Sequence, residues 1–139
     1  MAVITKRIKI HSKSENDIID ITEKVADAVL ESGLGNGTVT VFVVGSTGAV
    51  TTLEYEPGLL RDLPAALGKI APDTLVYEHE KRWHDGNGRS HVKASLVGPS
   101  LVVPFCGGEL VLGQWQQIVF LELDTRSRSR ELVLQIVGE

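Results

Sequence analysis

The C-terminal part of the chain decides the fold class and reads LVVPFCGGELVLGQWQQIVFLELDTRSRSRELVLQIV over residues 101–137. Short apolar runs, each of strand length, alternate here with turn signals. The predicted strands are Leu101–Val103, Leu110–Leu112, Ile118–Leu123 and Leu132–Val137. Because connections such as Thr125–Ser129 are shorter than the crossover that parallel strands need, we expect antiparallel neighbours.

The strand pattern continues in the N-terminal half. Residues Ala2–Ile10 alternate apolar and polar side chains, as in a strand with one buried face. The β-branched run Val39–Val44 is typical of a central strand. Further strands are predicted at Ala49–Leu53, Leu75–Tyr77 and Val92–Val97. So many strands in 139 residues must close, stack or pair with another chain, and we therefore expect an oligomer.

Two helices are predicted between these strands. The first begins at Asp20, which forms a capping-box-like pair with Glu23. The second covers residues 56–70 and is kinked or divided at Pro64, which cannot donate a helical hydrogen bond. The predicted fold class is α+β, with a predominantly antiparallel, sandwich-like β-sheet and two helices in a single domain of residues 1–139.

Composition limits the class of protein. The chain is 42% hydrophobic and 23% charged, as in ordinary globular domains, and has no apolar run near the roughly 18 residues of a membrane span. Eighteen acidic and fourteen basic residues give a net charge of −4, which argues against nucleic acid as the main partner. The first fifteen residues lack the continuous apolar segment of a signal peptide, so a cytoplasmic location is expected.

Three of the four histidines, His79, His84 and His91, lie in the polar stretch EHEKRWHDGNGRSHVK, residues 78–93. Its two glycines predict a loop, and loops on rigid scaffolds often carry function. Imidazoles beside a carboxylate such as Asp85 suit a divalent metal or acid–base catalysis near neutral pH. The histidine spacing matches no zinc motif, so a solvated surface loop is the alternative.

Two further places are candidates for ligand binding. The turn Gly45-Ser46-Thr47-Gly48 could bind an anion through backbone N–H groups and the hydroxyls of Ser46 and Thr47, although it could also be an ordinary turn. Glu54 follows closely enough to reach a cation bound near that turn. Trp115, placed between amide side chains, could stack on a planar ring or belong to the core.

The segment SHVKASLVGPSLVVPFCGGELVLGQWQQI, residues 90–118, resembles the YjbQ-like family, which is often described as secondary thiamine-phosphate synthase. The family pattern is approximately H-[IV]-K-[AS]-S-[LM]-x-G-x-S-L-x-[LIV]-P, followed by a glycine turn and G-T-W-Q. The matching residues are His91, Lys93, Ala94, Ser95, Gly98, Ser100, Pro104, Gly113, Trp115 and Gln116. Two positions depart from the pattern: Gly45 replaces a histidine of the family's H-T-[TS]-A turn, and Gln114 replaces the threonine of G-T-W-Q.

The resemblance implies an α+β fold with a sandwich-like core and a homotrimer with pockets near the subunit contacts. It also implies a reaction that joins hydroxymethylpyrimidine diphosphate to a thiazole phosphate and releases pyrophosphate, as a main or a side activity. The alternatives are a non-catalytic trimer that binds a small anionic metabolite or a metal, and a structural assembly module.

The expected site residues combine this resemblance with the residue chemistry. His91, Asp85 and Lys93 are the expected catalytic groups. The expected substrate-binding residues are Ser46, Thr47, Arg89, Trp115 and Gln116. The expected ligands of a divalent metal, Zn²⁺ or Mg²⁺, are His79, His84, His91 and Glu54, with His84 replacing the histidine lost at Gly45. The expected partner is a small-molecule phosphate or diphosphate, without nucleic acid or membrane.

Overall fold

Antiparallel pairing organises all eight strands into two sheets in the computed structural model, which describes residues 1–139. The strands are β1 (Ala2–His11), β2 (Ile18–Asp20), β3 (Asn36–Val43), β4 (Gly48–Leu53), β5 (Ser100–Cys106), β6 (Glu109–Leu110), β7 (Gln117–Glu122) and β8 (Ser129–Gly138). The helices are α1 (Thr22–Ser32), α2 (Pro57–Ile70), α3 (Glu78–Trp83) and α4 (Gly88–Val97). The large sheet has the order β1-β8-β3-β5-β6 and the small sheet β2-β7-β4. The predicted α+β class with antiparallel, sandwich-like sheets is confirmed.

The main core lies between the two sheets. Because strand side chains alternate, β8 turns every second residue inward, and Leu132, Leu134 and Ile136 are fully buried. The small sheet supplies Ile118 and Phe120 to the same cluster. Helix α1 packs its apolar stripe onto this core and so covers it where the sheets leave it open. Burial of each such side chain stabilises the fold by about 1.5–3 kcal/mol.

A second core lies on the other face of the small sheet. Val119 and Leu121 alternate with the inward-facing residues of β7 and therefore point away from the main core. They pack with Leu67 of α2 and Ala94 of α4. The molecule thus has three layers, and α4 rests on the small sheet beside β4.

The predicted strand Val92–Val97 is wrong, because this segment belongs to α4. Ser90, Lys93 and Ala94 are buried at helical spacing, whereas Leu96, which suggested a strand by its alternation, is 59% exposed. The chain at Leu75–Tyr77 is an irregular connection between α2 and α3 and forms no strand either.

The number of predicted helices is also corrected, from two to four. The stretch 78–93, predicted as a loop, contains α3 and the first turns of α4, and only residues 84–87 form a turn. Helix α2 is not divided at Pro64, since Leu60, Leu63 and Leu67 keep packing along its length while one backbone hydrogen bond is lost. None of the four helices has both the length and the hydrophobicity needed to cross a membrane.

Candidate functional site

A cavity of about 170 Å³ lies between the turn that leads into β4 and one flank of α4. The turn contributes Gly45, Ser46 and Gly48, and the helix contributes His91 and Ser95. We call this space the His91 cavity. It brings one predicted catalytic residue and one predicted substrate-binding residue together, from positions far apart in the sequence.

Contacts with neighbouring residues hold this turn in place. It carries the chain from β3 of the large sheet to β4 of the small sheet. At Gly48 a Cβ atom would lie 2.7 Å from the ring of Phe120, so only glycine fits against the core there. The backbone N–H of Leu123 donates to the Thr47 carbonyl at 3.0 Å. The wall of the cavity formed by Ser46 is therefore fixed before any ligand arrives.

A chain of titratable side chains leads away from the cavity. The ring of His91 lies 4.5 Å from that of His79, centroid to centroid. His79 Nε2 is 3.3 Å from Asp85 Oδ1. In the orientation that satisfies its hydrogen bonds, the Asn87 amide nitrogen donates to the same carboxylate oxygen at 2.8 Å. A carboxylate held in this way orients the neighbouring imidazole.

The corner between α3 and α4 positions these groups. The backbone N–H of Gly88 donates to Glu80 Oε1 at 2.6 Å, and the Asn87 carbonyl accepts from Ser90 N at 3.0 Å. A Cβ atom at Gly88 would lie 2.5 Å from Cβ of Tyr77, so the two helices meet too closely for any other residue. Partial burial raises the pKa of Tyr77, whose hydroxyl donates to the Pro72 carbonyl at 2.6 Å. His79 and His91 are thereby set on adjoining helices at a fixed corner.

Arg89 is placed away from the cavity lining. Its Nη2 donates to Glu15 Oε1 at 2.6 Å and its Nε to Glu15 Oε2 at 3.2 Å. This two-pronged hydrogen bond raises the pKa of Arg89. The residue therefore ties the start of α4 to the loop before β2, and its charge is already matched.

Lys93 is buried and does not line the His91 cavity. Residues two positions apart on a helix point about 200° apart, so Lys93 and His91 occupy opposite flanks of α4. The side chain takes part in none of the seven ion pairs of the chain. The structure thus does not bring the predicted catalytic lysine into the cavity with His91.

Thr47 turns its hydroxyl into the protein. Its Oγ1 donates to Asp124 Oδ2 at 3.1 Å and accepts from Arg130 Nη2 at 2.8 Å. Arg130 pairs with Glu122, and both side chains are almost completely buried. Ser12 Oγ donates to Glu122 Oε1 at 2.7 Å. We call these residues the buried ion network.

Sequence analysis missed the buried ion network, and the pKa of Asp124 shows how strongly it is held together. Burial alone would raise that pKa, but hydrogen bonds from the Thr125 N–H and the Thr47 hydroxyl, together with the charge of Arg128, lower it below its usual value. The available signal was Glu122 itself, an acidic residue inside the apolar run IVFLEL, because a charge in a buried strand requires a partner.

Glu54, Trp115 and Gln116 lie at the opposite end of β4 from the turn. The strand places Glu54 about 20 Å from the start of β4 at roughly 3.3 Å per residue. A shallow hollow of about 400 Å³ is lined there by residues 52–54 and 113–116. Trp115 is 66% exposed and so does not belong to the core. The Gln116 side chain accepts from Gly113 N at 3.0 Å and donates to Thr52 Oγ1 at 3.2 Å, which shapes the hollow.

The four predicted metal ligands do not form one centre. His79 and His91 are neighbours, but Glu54 lies at the far end of β4 and His84 is an exposed residue that ends α3 in the left-handed conformation. No group of three or more His, Cys, Asp or Glu side chains is arranged to hold a metal ion. His79 Nε2 is moreover engaged by Asp85. Within a single chain, the four predicted ligands are therefore not arranged to bind one metal ion together.

Comparison with known proteins identifies the family. The model of the UPF0047 protein YjbQ-like family matches residues 6–139. The chain belongs to this family. A UPF0047 protein of Methanothermobacter thermautotrophicus is 35% identical over 139 residues, which cover 100% of this chain and 95% of the relative. One from Archaeoglobus fulgidus is 41% identical over 117 residues, 84% of this chain and 89% of the relative.

Solved structures of the family share the fold. A YjbQ-like protein of unknown function from Sulfolobus solfataricus superimposes with a TM-score of 0.89 at 31% identity, covering 99% of this chain and 100% of that one. A YjbQ/UPF0047 protein from Clostridium acetobutylicum gives a TM-score of 0.82 at 36% identity, covering 96% of this chain and 99% of that one. The predicted membership in the YjbQ-like family is thereby confirmed.

Proposed function

We propose that the His91 cavity binds the phosphate or diphosphate group of a small molecule and that His91 transfers a proton while another group is joined to that molecule. One observation carries this proposal: Ser46 and His91 line the same cavity, and His91 lies 4.5 Å from an imidazole that is itself oriented by Asp85. A hydroxyl and an acid–base group that line the same cavity suit the departure of a phosphate or diphosphate leaving group.

The reaction that the family resemblance implies fits this arrangement. The thiazole nitrogen attacks the methylene carbon of hydroxymethylpyrimidine diphosphate and forms a C–N bond. The C–O bond to the diphosphate breaks, and pyrophosphate leaves with the electron pair. His91 in its protonated form donates a proton to the leaving oxygen, while Ser46 donates a hydrogen bond to a non-bridging oxygen. The ring contact with His79, which Asp85 orients, positions His91 for the transfer.

The size of the cavity limits what one chain can enclose. Its roughly 170 Å³ is below the about 300–1,000 Å³ of pockets that enclose a whole small ligand. The phosphate part of a substrate is therefore held inside, and the ring systems extend beyond the mouth. Trp115 lies beside the far end of β4, too distant to stack on the same molecule within one chain. A homotrimer with pockets near the subunit contacts would provide the missing wall.

The direct test is product formation. Purified protein is incubated with hydroxymethylpyrimidine diphosphate, thiazole phosphate and Mg²⁺, and thiamine phosphate is measured by mass spectrometry. His91→Gln is the test variant, and His84→Gln is its matched control, since it removes an exposed histidine outside the cavity. Product from the wild type and the control but not from His91→Gln supports the proposal. Equal product from all three, or none from any, contradicts it.

A non-catalytic binding role is the second candidate, and one observation favours it. Arg89, Lys93 and the Thr47 hydroxyl, all expected in the site, are directed elsewhere, so few reactive groups face the cavity. A binding protein would be stabilised by its ligand through mass action without turning it over. A rise in melting temperature with pyrophosphate, lost in Ser46→Ala and unaccompanied by product, would favour this role.

The exposed face of the large sheet favours association between chains, and the family resemblance implies that the assembly is a homotrimer. Val3, Phe42 and Val102 are between 43% and 60% exposed on that face, which no helix covers. Apolar patches of this kind commonly mark protein interfaces. Light scattering at micromolar concentration should give about three times the chain mass of 15.1 kDa. A mass near that of one chain would contradict the prediction.

Divalent metal binding stays a prediction that metal analysis can test. Wild type and the variants His79→Ala, His84→Ala and His91→Ala are dialysed identically, and Zn²⁺ and Mg²⁺ are measured by plasma emission. If the two neighbouring imidazoles bind metal, His79→Ala and His91→Ala lower its stoichiometry sharply while His84→Ala changes it less. Equal stoichiometry in all four proteins would contradict metal binding by these histidines. Acid–base chemistry would then be their only proposed role.

A further inference from the structure

A second polar cavity lies away from the His91 cavity, at the turn that joins β7 to β8. It has a volume of about 420 Å³ and no apolar lining residue. It is lined by His11, Ser12, Arg126, Ser127, Arg128 and Ser129. We call it the basic pocket. It shares no residue with the His91 cavity.

Of the two arginines of the basic pocket, Arg126 carries a charge that the chain does not neutralise, whereas Arg128 is paired but keeps free donors. Arg126 is exposed and takes part in none of the ion pairs. Arg128 donates one nitrogen, Nη1, to Asp124 Oδ2 at 2.6 Å and keeps the rest of its guanidinium free. His11 Nδ1 lies 2.9 Å from Ser129 Oγ, which leaves Nε2 of the ring without a partner. Guanidinium groups with free donors bind phosphate or carboxylate oxygens in pairs of hydrogen bonds.

The floor of the basic pocket is preformed. Ser12 is buried, and its hydroxyl accepts from the backbone N–H of Arg128 at 2.8 Å and donates to Glu122 at 2.7 Å. The side chain of Arg128 is fixed from below by Asp124, which is itself 3% exposed. A ligand therefore meets donors that are already ordered, and less conformational entropy is lost on binding.

We infer that the basic pocket is a binding site for the phosphate group of a small molecule, separate from the site proposed for group transfer. The unpaired charge of Arg126, the free guanidinium donors of Arg128 and the hydroxyl of Ser127 match the oxygens of a phosphate group. The absence of apolar lining means that the pocket recognises the anionic group and not a ring. The volume, within the range of about 300–1,000 Å³ for small-ligand sites, leaves room for a short organic substituent. A net charge of −4 and a patch of only two arginines do not favour a nucleic acid here.

The four histidines of the chain allow each cavity to be observed separately. Imidazole carbon–proton signals are recorded by NMR and assigned with one histidine variant at a time, and inorganic phosphate is titrated at constant pH and ionic strength. His11 reports on the basic pocket, and His91 reports on the other cavity. We expect the His11 signal to move along a saturable curve that equimolar chloride does not reproduce.

Arg126→Gln is the test variant, and Arg61→Gln is the matched control because Arg61 is exposed on α2 and lines neither cavity. Loss of one charge-assisted hydrogen bond should raise the phosphate dissociation constant read at His11 about tenfold or more, with less than about a twofold change in the control. Equal curves for both variants, or a shift that does not saturate, would overturn the inference. So would tighter binding of a short oligonucleotide than of phosphate at His11. The result at His11 is independent of whether His91 responds, so the two proposals fail separately.

Discussion

His91→Gln is expected to lower the rate of thiamine phosphate formation by about 10²–10⁴-fold, the usual contribution of a general acid or base. Glutamine keeps a polar side chain of similar reach in the cavity but cannot exchange a proton. The loss should fall on kcat, with KM for the diphosphate substrate changing little, because Ser46 and the turn still bind the phosphate. The measurement is steady-state kinetics of wild type and variant, with His84→Gln as the control.

The Asp85→Asn variant, measured in the same experiment, distinguishes a role in proton transfer from a purely structural role. Asp85 touches His79 and not the cavity, so it is a positioning residue. The variant should keep the fold but lower kcat with little change in KM, because the carboxylate that orients the His79 ring, and through it His91, is gone. A His91→Gln enzyme with normal kcat, or an Asp85→Asn enzyme with an unchanged kcat, would contradict the proposed acid–base chain.

Arg130→Met is expected to lower the free energy of unfolding by about 3–5 kcal/mol, because it leaves the buried carboxylate of Glu122 without its counter-charge. Total stabilities of single domains are only about 5–15 kcal/mol, so this change approaches the limit of folding. Urea unfolding at one fixed protein concentration measures it, since an oligomer's stability depends on concentration. The control is Arg7→Met, which breaks the exposed pair of Arg7 with Glu131 and should cost less than about 1 kcal/mol.

The double variant Glu122→Met/Arg130→Met completes this test. With neither charge left in the interior, much of the lost stability should return, as buried ion pairs replaced by apolar side chains often show. If Arg130→Met were no more destabilising than Arg7→Met, the pair would not be the buried, mutually dependent unit that the structure shows. A double variant less stable than the single one would contradict the same account.

The strands could be predicted because their signal is local. In β8 the alternation that placed Leu132–Val137 in a strand is the alternation of burial in the structure, and antiparallel pairing followed from short connections. Helix α4 could not be predicted in the same way, since its buried residues include a serine and a lysine and its exposed ones include valine and leucine. Hydrophobic periodicity indicates the wrong element when the polar side chains are the buried ones.

Only the part of the candidate site that depends on local sequence could be predicted. His79 and His91 stand twelve positions apart in one segment and meet across one helical corner. The facing turn at Ser46 reaches His91 only through the order of the strands, which no spacing in the sequence reveals. Likewise, Arg130 meets Thr47 because β8 and the turn before β4 converge in three dimensions.

A structure of the His91→Gln variant with hydroxymethylpyrimidine diphosphate bound tests the central claim most directly. The variant is chosen because it should bind the substrate without consuming it. The account predicts the diphosphate group within hydrogen-bond distance of Ser46 Oγ and of the side chain at position 91, with the pyrimidine ring outside the cavity. A diphosphate bound instead in the hollow beside Glu54 and Trp115, or in the basic pocket alone, would contradict the proposed site.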